Sequence, residues 1–286
     1  MNFIKVVGHK WAENKFVCVG LDPVWDKLPQ HLTSDSEKEG DPDVIFQFCK
    51  GIIDATKDIA NSFKPNTAFY EAYGTDGMIA LERVCEYIQA TTDVPIILDF
   101  KRGDIGNTNL GSARFAFDVL GVDAVTVQPY LGKVAMQAFL DHADKGIIVL
   151  CKTSNEGSDE VQSQSLGVDG VKLYEYVAKQ VSDTWNANNN CLLVVGATYP
   201  KELADVRAIV GDMPILVPGI GAQGGDLEAT LHAGLVYGSL DGLIINSSRG
   251  IIYASSGEDF PDAARAETQK LNNEINAIRE VMRLAA

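Results

Sequence analysis

The chain has 286 residues, 46% hydrophobic and 22% charged, enough apolar material for one large domain or two small ones. A net charge of -15 argues against a nucleic-acid or anionic-membrane surface, yet a local cluster of Lys and Arg can still hold a small anion. The five cysteines show no paired spacing and the four histidines form no HxH or HExxH, so we expect reduced thiols, a cytoplasmic location and no histidine metal site.

The chain opens with MNFIKVVGHKWAENK, which lacks the apolar core of an export signal, and no later run is long enough for a membrane-spanning helix. The first aliphatic run, FVCVGLD (16–22), ends on Asp22. TSDSEKEGDPD (33–43) is acidic and turn-rich, an expected solvated loop before a helix carrying Ile45, Phe48 and Ile52. The second run, IANSFKP (59–65), closes on Lys64, which the following proline holds in extended geometry. Helical spacing returns at Met78, Leu81, Cys85 and Ile88.

The third run, PIILDFK (95–101), leads straight into the charges of IILDFKRGDIGNT. Asp99 and Lys101 are two apart, so on an extended strand they point the same way. Asp104 lies beyond the break at Gly103, and spacing leaves its direction open. DAVTVQP (123–129) and GIIVLCK (146–152) follow, the latter ending at Thr153 and Ser154 in a long polar loop, TSNEGSDEVQSQ (153–164). CLLVVGA (191–197) is the sixth run and PILVPGI (214–220) the seventh. The seventh passes into PGIGAQGGD (218–226), whose glycines let backbone N–H groups approach an anion. The eighth, DGLIINS (241–247), is followed by Ser248 and by Arg249, a side chain suited to bidentate phosphate contact. Leu271, Ile275, Ile278 and Met282 mark a final helix.

Strands alternating with helices imply parallel pairing, and continuous aliphatic runs imply strands buried on both faces. Eight such units predict a single α/β domain over 1–286, a (β/α)8 TIM barrel. A doubly wound open sheet is the alternative, and no GxGxxG follows the first run to support it. Barrel active sites lie at the C-terminal strand ends, where this chain gathers Asp22, Lys64, Asp99, Lys101, Ser154 and Pro218. The loops after the seventh and eighth strands suit a phosphate. The Asp–Lys–Asp–Lys series suits ribose hydroxyls and a reacting carboxylate, or else is a structural ion-pair network. A lysine among carboxylates keeps its proton, which disfavours a Schiff base and favours Lys101 as an acid or as support for a developing anion.

DFKRGDIGNT carries the D-x-K-x-x-D pattern of the orotidine 5′-phosphate decarboxylase family, which the chain resembles over nearly its whole length. GLDP (20–23), FKPNTAFYEAYG (63–74), CKTSN (151–155), VGATYP (195–200), PGIGAQGG (218–225) and NSSRGI (246–251) extend the resemblance in order, in the style of the longer bacterial branch. D-x-K-x-x-D alone is shared with sugar-phosphate decarboxylases and synthases of the same superfamily, which normally need a divalent metal. The resemblance implies cofactor-independent decarboxylation of orotidine 5′-phosphate to uridine 5′-phosphate, the last step of UMP synthesis, and no flavin, thiamine or pyridoxal signature supplies an electron sink.

Position by position, the resemblance implies that Asp22 and Lys64 hold the ribose hydroxyls. Asp99 would lie near the leaving carboxylate, and Lys101 would give pyrimidine C6 its proton. Asp104 and Thr108 would reach into the neighbouring site of a homodimer with shared active sites. Ser154 would bond the pyrimidine edge, Pro218 would pack on the ring, and Gln223, Ser248 and Arg249 would bind at the phosphate end. Glu156 departs from the family, where proline is frequent, and bears on the rigidity of that loop. A nucleotide-binding barrel without activity is the remaining rival, and it would be marked by loss of Lys101 or its flanking Asp residues, all of which are present.

Overall fold

The computed structural model describes residues 2–167, 169–220 and 224–285. Eight parallel strands form its main sheet: β1 (Val17–Leu21), β2 (Ser62–Pro65), β3 (Ile97–Arg102), β4 (Ala124–Val127), β5 (Gly146–Lys152), β6 (Cys191–Val195), β7 (Ile215–Pro218) and β8 (Leu243–Ser247). Seven fall inside the aliphatic runs, and β3 extends one residue beyond its own, to Arg102. Their order, β2-β1-β8-β7-β6-β5-β4-β3, goes almost full circle. The remaining seam between β2 and β3 carries two parallel bridges, Phe63 to Ile96 and Asn66 to Asp99. The sheet is therefore the expected barrel rather than an open doubly wound sheet.

The helices that cover the barrel are amphipathic for the reason the spacing gave. Within α2 (Pro42–Thr56), Ile45, Phe48 and Ile52 are buried, and in α3 (Gly74–Thr91), Leu81, Cys85 and Ile88 are buried with Met78 packed beside them. Around the rest of the ring run α4 (Gly106–Arg114), α5 (Gly132–Leu140), α6 (Leu173–Gln180), α7 (Pro200–Val210) and α8 (Leu227–Gly234). Among the described residues, no helix is long and apolar enough to cross a membrane. The stretch 33–43 is mostly turn before α2, and its Asp41 side chain caps that helix by accepting from Asp43 N–H. The polar loop after β5 continues into a short antiparallel hairpin, Ser165–Leu166 with Val171–Lys172.

One feature at the N-terminal ends of the strands was not expected. A helix before the first strand, α1 (Phe3–Ala12), closes that end. Trp11 Nε1 donates to the Leu243 carbonyl at 2.8 Å, and the Phe3 ring lies where a Cβ on Gly146 would stand. The last helix, α9 (Phe260–Ala285), buries Ala264, Thr268, Asn272, Ile275 and Arg279, while Leu271, Ile278 and Met282 lie partly buried at its flanks. Its central column is partly polar because it closes backbone groups at the barrel floor. Asn272 Oδ1 accepts from Phe16 N–H at 2.9 Å, and its Nδ2 donates to the Ile59 carbonyl at 2.8 Å.

Asn272→Leu keeps the branched side-chain shape and orphans the Phe16 and Val17 N–H groups and the Ile59 carbonyl in a buried site. Urea unfolding should show a loss of roughly 2–4 kcal/mol. A loss below about 0.5 kcal/mol would mean that water takes over these bonds.

Candidate active site

A cavity of about 540 Å³ opens at the C-terminal ends of the strands, a size suited to a nucleotide. Asp22, Lys64, Asp99 and Lys101 line it from the first three strand ends. Ser154, Pro218, Ser248 and Arg249 line it from the fifth, seventh and eighth. Asp104 and Thr108 do not. Both are exposed in the segment after β3, where the Asp104 carboxylate accepts from Ile105 N–H at 2.7 Å. Gln223 lies outside the described residues.

At the centre is Asp99, buried at the β2–β3 seam. Lys64 Nζ is 2.9 Å from its Oδ2 and Lys101 Nζ is 2.6 Å from its Oδ1. Burial pushes the Asp99 carboxyl up, but the Lys64 and Lys101 ammonium groups outweigh it and hold it well below the usual range. For Lys64 burial acts downward, and Asp99 with Asp22 reverses the sign, raising it above an ordinary lysine. Asp22 goes the other way: burial raises its carboxyl further than Lys64 can offset. Asp22 Oδ1 and Ser248 Oγ are both buried without a hydrogen-bond partner among the described residues. Buried polar atoms are nearly always satisfied, so these two form an unsaturated polar edge, where the Ser248 side chain lies close enough to draw the Asp22 carboxyl downward.

Asp99 and Lys101 do meet, though not by simple strand alternation. Leu98 pairs with Val125 and Arg102 with Val127, so four steps along β3 match two along β4. Lys101 sits in this bulge with φ +43°, a left-handed conformation rare for a side chain of its kind. Phe100, between the two, turns outward against Phe139 of α5.

Other side chains that shape the cavity gave no signal in the sequence beyond their motifs. Thr126 of β4 donates to Asp99 Oδ1 at 2.9 Å. Tyr253, after β8, donates to the Asp22 carbonyl and accepts from Val24 N–H, pinning the GLDP turn. Lys152 is fully buried, with Nζ 2.6 Å from Ser158 Oγ, 2.9 Å from Asp159 Oδ1 and 3.8 Å above the Tyr199 ring centre. It ties the loop bearing Ser154 to the end of β6. Close approach is what two glycines supply: a Cβ on Gly20 would stand 2.5 Å from Ser248 Cβ, and one on Gly196 would stand 2.6 Å from Ser154 Cβ.

All five cysteines are buried free thiols, and burial pushes Cys18 up to about 11 and Cys49 to about 12, which removes them as nucleophiles. Among the described residues, no three His, Cys, Asp or Glu side chains group as metal ligands would.

Residues 15–259 match the family model described as orotidine 5′-phosphate decarboxylase / HUMPS family. This chain belongs to that family. A curated relative from Janthinobacterium sp. (strain Marseille), named orotidine 5′-phosphate decarboxylase, is 49% identical over 96% of this chain and 98% of its own length. One of the same name from Azoarcus sp. (strain BH72) is 48% identical over 98% of this chain and 100% of its own. Among solved structures, OMP decarboxylase of Leishmania donovani superposes with a TM-score of 0.83 at 38% identity, covering 98% of this chain and 99% of that one. The family match and the barrel agree over the same strands.

Asp99→Asn leaves Lys64 buried with one counter-charge fewer and should lower the melting temperature near neutral pH. In wild type the folded carboxyl lies below its unfolded value of ~3.9, so its stabilisation is present above that pH and lost as pH falls toward the folded value. The melting-temperature gap between the two proteins should therefore narrow from about pH 7 to about pH 3. A gap that stays constant would mean that Asp99 does not carry the charge.

Proposed function

We propose that this chain decarboxylates orotidine 5′-phosphate to uridine 5′-phosphate and carbon dioxide, the last step of UMP synthesis, without a cofactor. The observation that carries this reading is the Asp99 carboxylate with Lys64 and Lys101 on its two oxygens at the barrel mouth, in a chain whose relatives bear that name. Asp22 and Lys64 take the ribose hydroxyls, and the unpartnered Asp22 Oδ1 supports this by leaving an acceptor open. Ser154 bonds the pyrimidine edge and Pro218 packs on its ring, both from positions on the cavity wall. Arg249 and Ser248, with Gln223, take the phosphate at the ends of β7 and β8.

In the reaction the C6–carboxylate bond breaks and its electron pair stays on C6, which the ring delocalises poorly. Lys101 Nζ, already turned to Asp99, stabilises that pair and then delivers its proton to C6; solvent reprotonates the amine. The Asp99 charge also stands beside the substrate carboxylate, although an ionised pair in place before reaction is sufficient for the electrostatic account.

The partner in this reading is a second copy of the chain. Asp104 and Thr108 are exposed and do not line their own cavity, and Ile105, Leu110, Tyr130 and Val134, on α4, α5 and the segments before them, are exposed apolar side chains. Exposed apolar side chains on neighbouring helices are suited to a two-fold interface. Across it, Asp104 completes the charge array and Thr108 joins the neighbouring site. A cytoplasmic location accords with five unpaired thiols.

Conversion of orotidine 5′-phosphate to uridine 5′-phosphate, followed by loss of absorbance, tests the reading. Turnover undiminished by EDTA is expected. No turnover would overturn it, and turnover abolished by EDTA would favour a metal-dependent sugar-phosphate enzyme on the same scaffold.

Lys101→Ala and Asp104→Ala homodimers should both be nearly inactive. In a mixed dimer the site that keeps Lys101 receives an intact Asp104 from the other subunit, while the second site lacks both. Random exchange makes half the dimers mixed, each with one complete site, so activity should recover to about a quarter of wild type. Verified mixed dimers without recovery would place Asp104 in its own chain's site.

A further inference from the structure

Thr126 is the only hydroxyl in the β4 sequence AVTV and is 1% exposed. Valine would serve the strand equally well, so the hydroxyl calls for a reason. Between the pairs Leu98–Val125 and Arg102–Val127, Asp99, Phe100 and Lys101 of β3 face this one residue of β4. Its Oγ1 accepts from the Lys101 backbone N–H at 3.0 Å and donates to Asp99 Oδ1 at 2.9 Å. The same carboxylate oxygen receives Lys101 Nζ at 2.6 Å.

We propose that Thr126 is a positioning residue that closes a hydrogen-bonded ring through both ends of Lys101. The direction of each bond follows from the chemistry. An ionised Asp99 only accepts, so the hydroxyl must give it the proton, which leaves the hydroxyl lone pair for the Lys101 amide. The backbone of Lys101 is thus held in the left-handed bulge while its ammonium is held to Asp99. A bulge with φ +43° is strained and persists only where its surroundings over-determine it, and the ring is that determination. Without the hydroxyl the amide loses its acceptor, the bulge can relax toward extended backbone, and Nζ moves away from the reacting carbon. The ammonium would still be present, but misplaced.

This inference rests on the decarboxylase reading for its kinetic readout. With orotidine 5′-phosphate as substrate, Thr126→Val should lower kcat by ~100-fold, the scale of an ångström-sized misplacement of a reacting group. KM should stay within about twofold, since the ribose, pyrimidine and phosphate contacts are untouched. Thr126→Ser restores the hydroxyl and should return kcat to within about fivefold of wild type. A loss confined to KM, a normal kcat in Thr126→Val, or a serine variant no better than valine would each overturn the ring. If the valine variant does not fold, Thr126→Ala against Thr126→Ser reads the same contrast. A crystal structure of Thr126→Val keeps the inference separate from the proposed reaction. Lys101 still at positive φ with Nζ on Asp99 would overturn the positioning role, even if wild type proved inactive on this substrate.

Discussion

The Asp99 carboxylate, shared between two lysines at the seam of the barrel, is the interaction on which the rest of the site depends. Removing three charges from water is costly, and such clusters hold only where each charge has a close counter-charge and further hydrogen bonds. Here Lys64 and Lys101 take one oxygen each, Thr126 adds a bond to Oδ1, and Asp22 lies near Lys64 from the next strand. The result is a fixed field at the mouth of the barrel. Its ammonium groups are held to Asp99, so in the proposed reaction little reorganisation would be needed as negative charge develops.

Asp99 can hold this position because the barrel closes at it. The β2–β3 seam is joined by two isolated bridges, Phe63–Ile96 and Asn66–Asp99, rather than by a long ladder, and Thr67 N–H donates to the Asp99 carbonyl. A short seam tolerates the bulge that brings Lys101 round to the same carboxylate. A second register shift lies between β5 and β6 at Leu150 and Lys152. Gly20 and Gly196 remove a Cβ where the loops bearing Ser248 and Ser154 cross the strand ends, and buried Lys152 fastens the latter loop through Ser158, Asp159 and Tyr199. The charged centre and the polar loops are therefore set by separate elements of one frame. The opposite end of the barrel serves stability, with Trp11 and Asn272 taking up backbone groups at the floor.

Asp22 Oδ1 and Ser248 Oγ have no hydrogen-bond partner among the described residues, and Ser248 packs directly on Gly20. Together with exposed Arg249, these two residues line a polar half of the cavity, in contrast to the saturated half around Asp99. A ligand with hydroxyls and a phosphate at one end and a carboxylate at the other would satisfy the first half and press its own charge on the second. Such division lets remote binding energy be used at the reacting carbon.

The sequence by itself determined the eight strands, because burial on both faces demands uninterrupted aliphatic runs, and it determined which charges end them. It also placed Asp22, Lys64, Asp99, Lys101, Ser154, Pro218, Ser248 and Arg249 at one mouth, since parallel strands put all their C-terminal ends together. Only the tertiary structure decided how Asp99 and Lys101 meet. Two-residue spacing suggested an extended strand, but pairing with β4 inserts a bulge whose strain depends on a neighbour 25 residues on, Thr126. Lys152 and Tyr253 escaped the sequence for the same reason, each acting through partners on other loops. In α9, Asn272 and Arg279 share the buried column with Ile275, while Leu271, Ile278 and Met282, the other residues named by spacing, flank it. Hydrophobic periodicity records contacts with a core, whereas a polar side chain buried to satisfy distant backbone leaves no period. Local pattern therefore specified the frame and its charges, and long-range hydrogen bonding decided their aim.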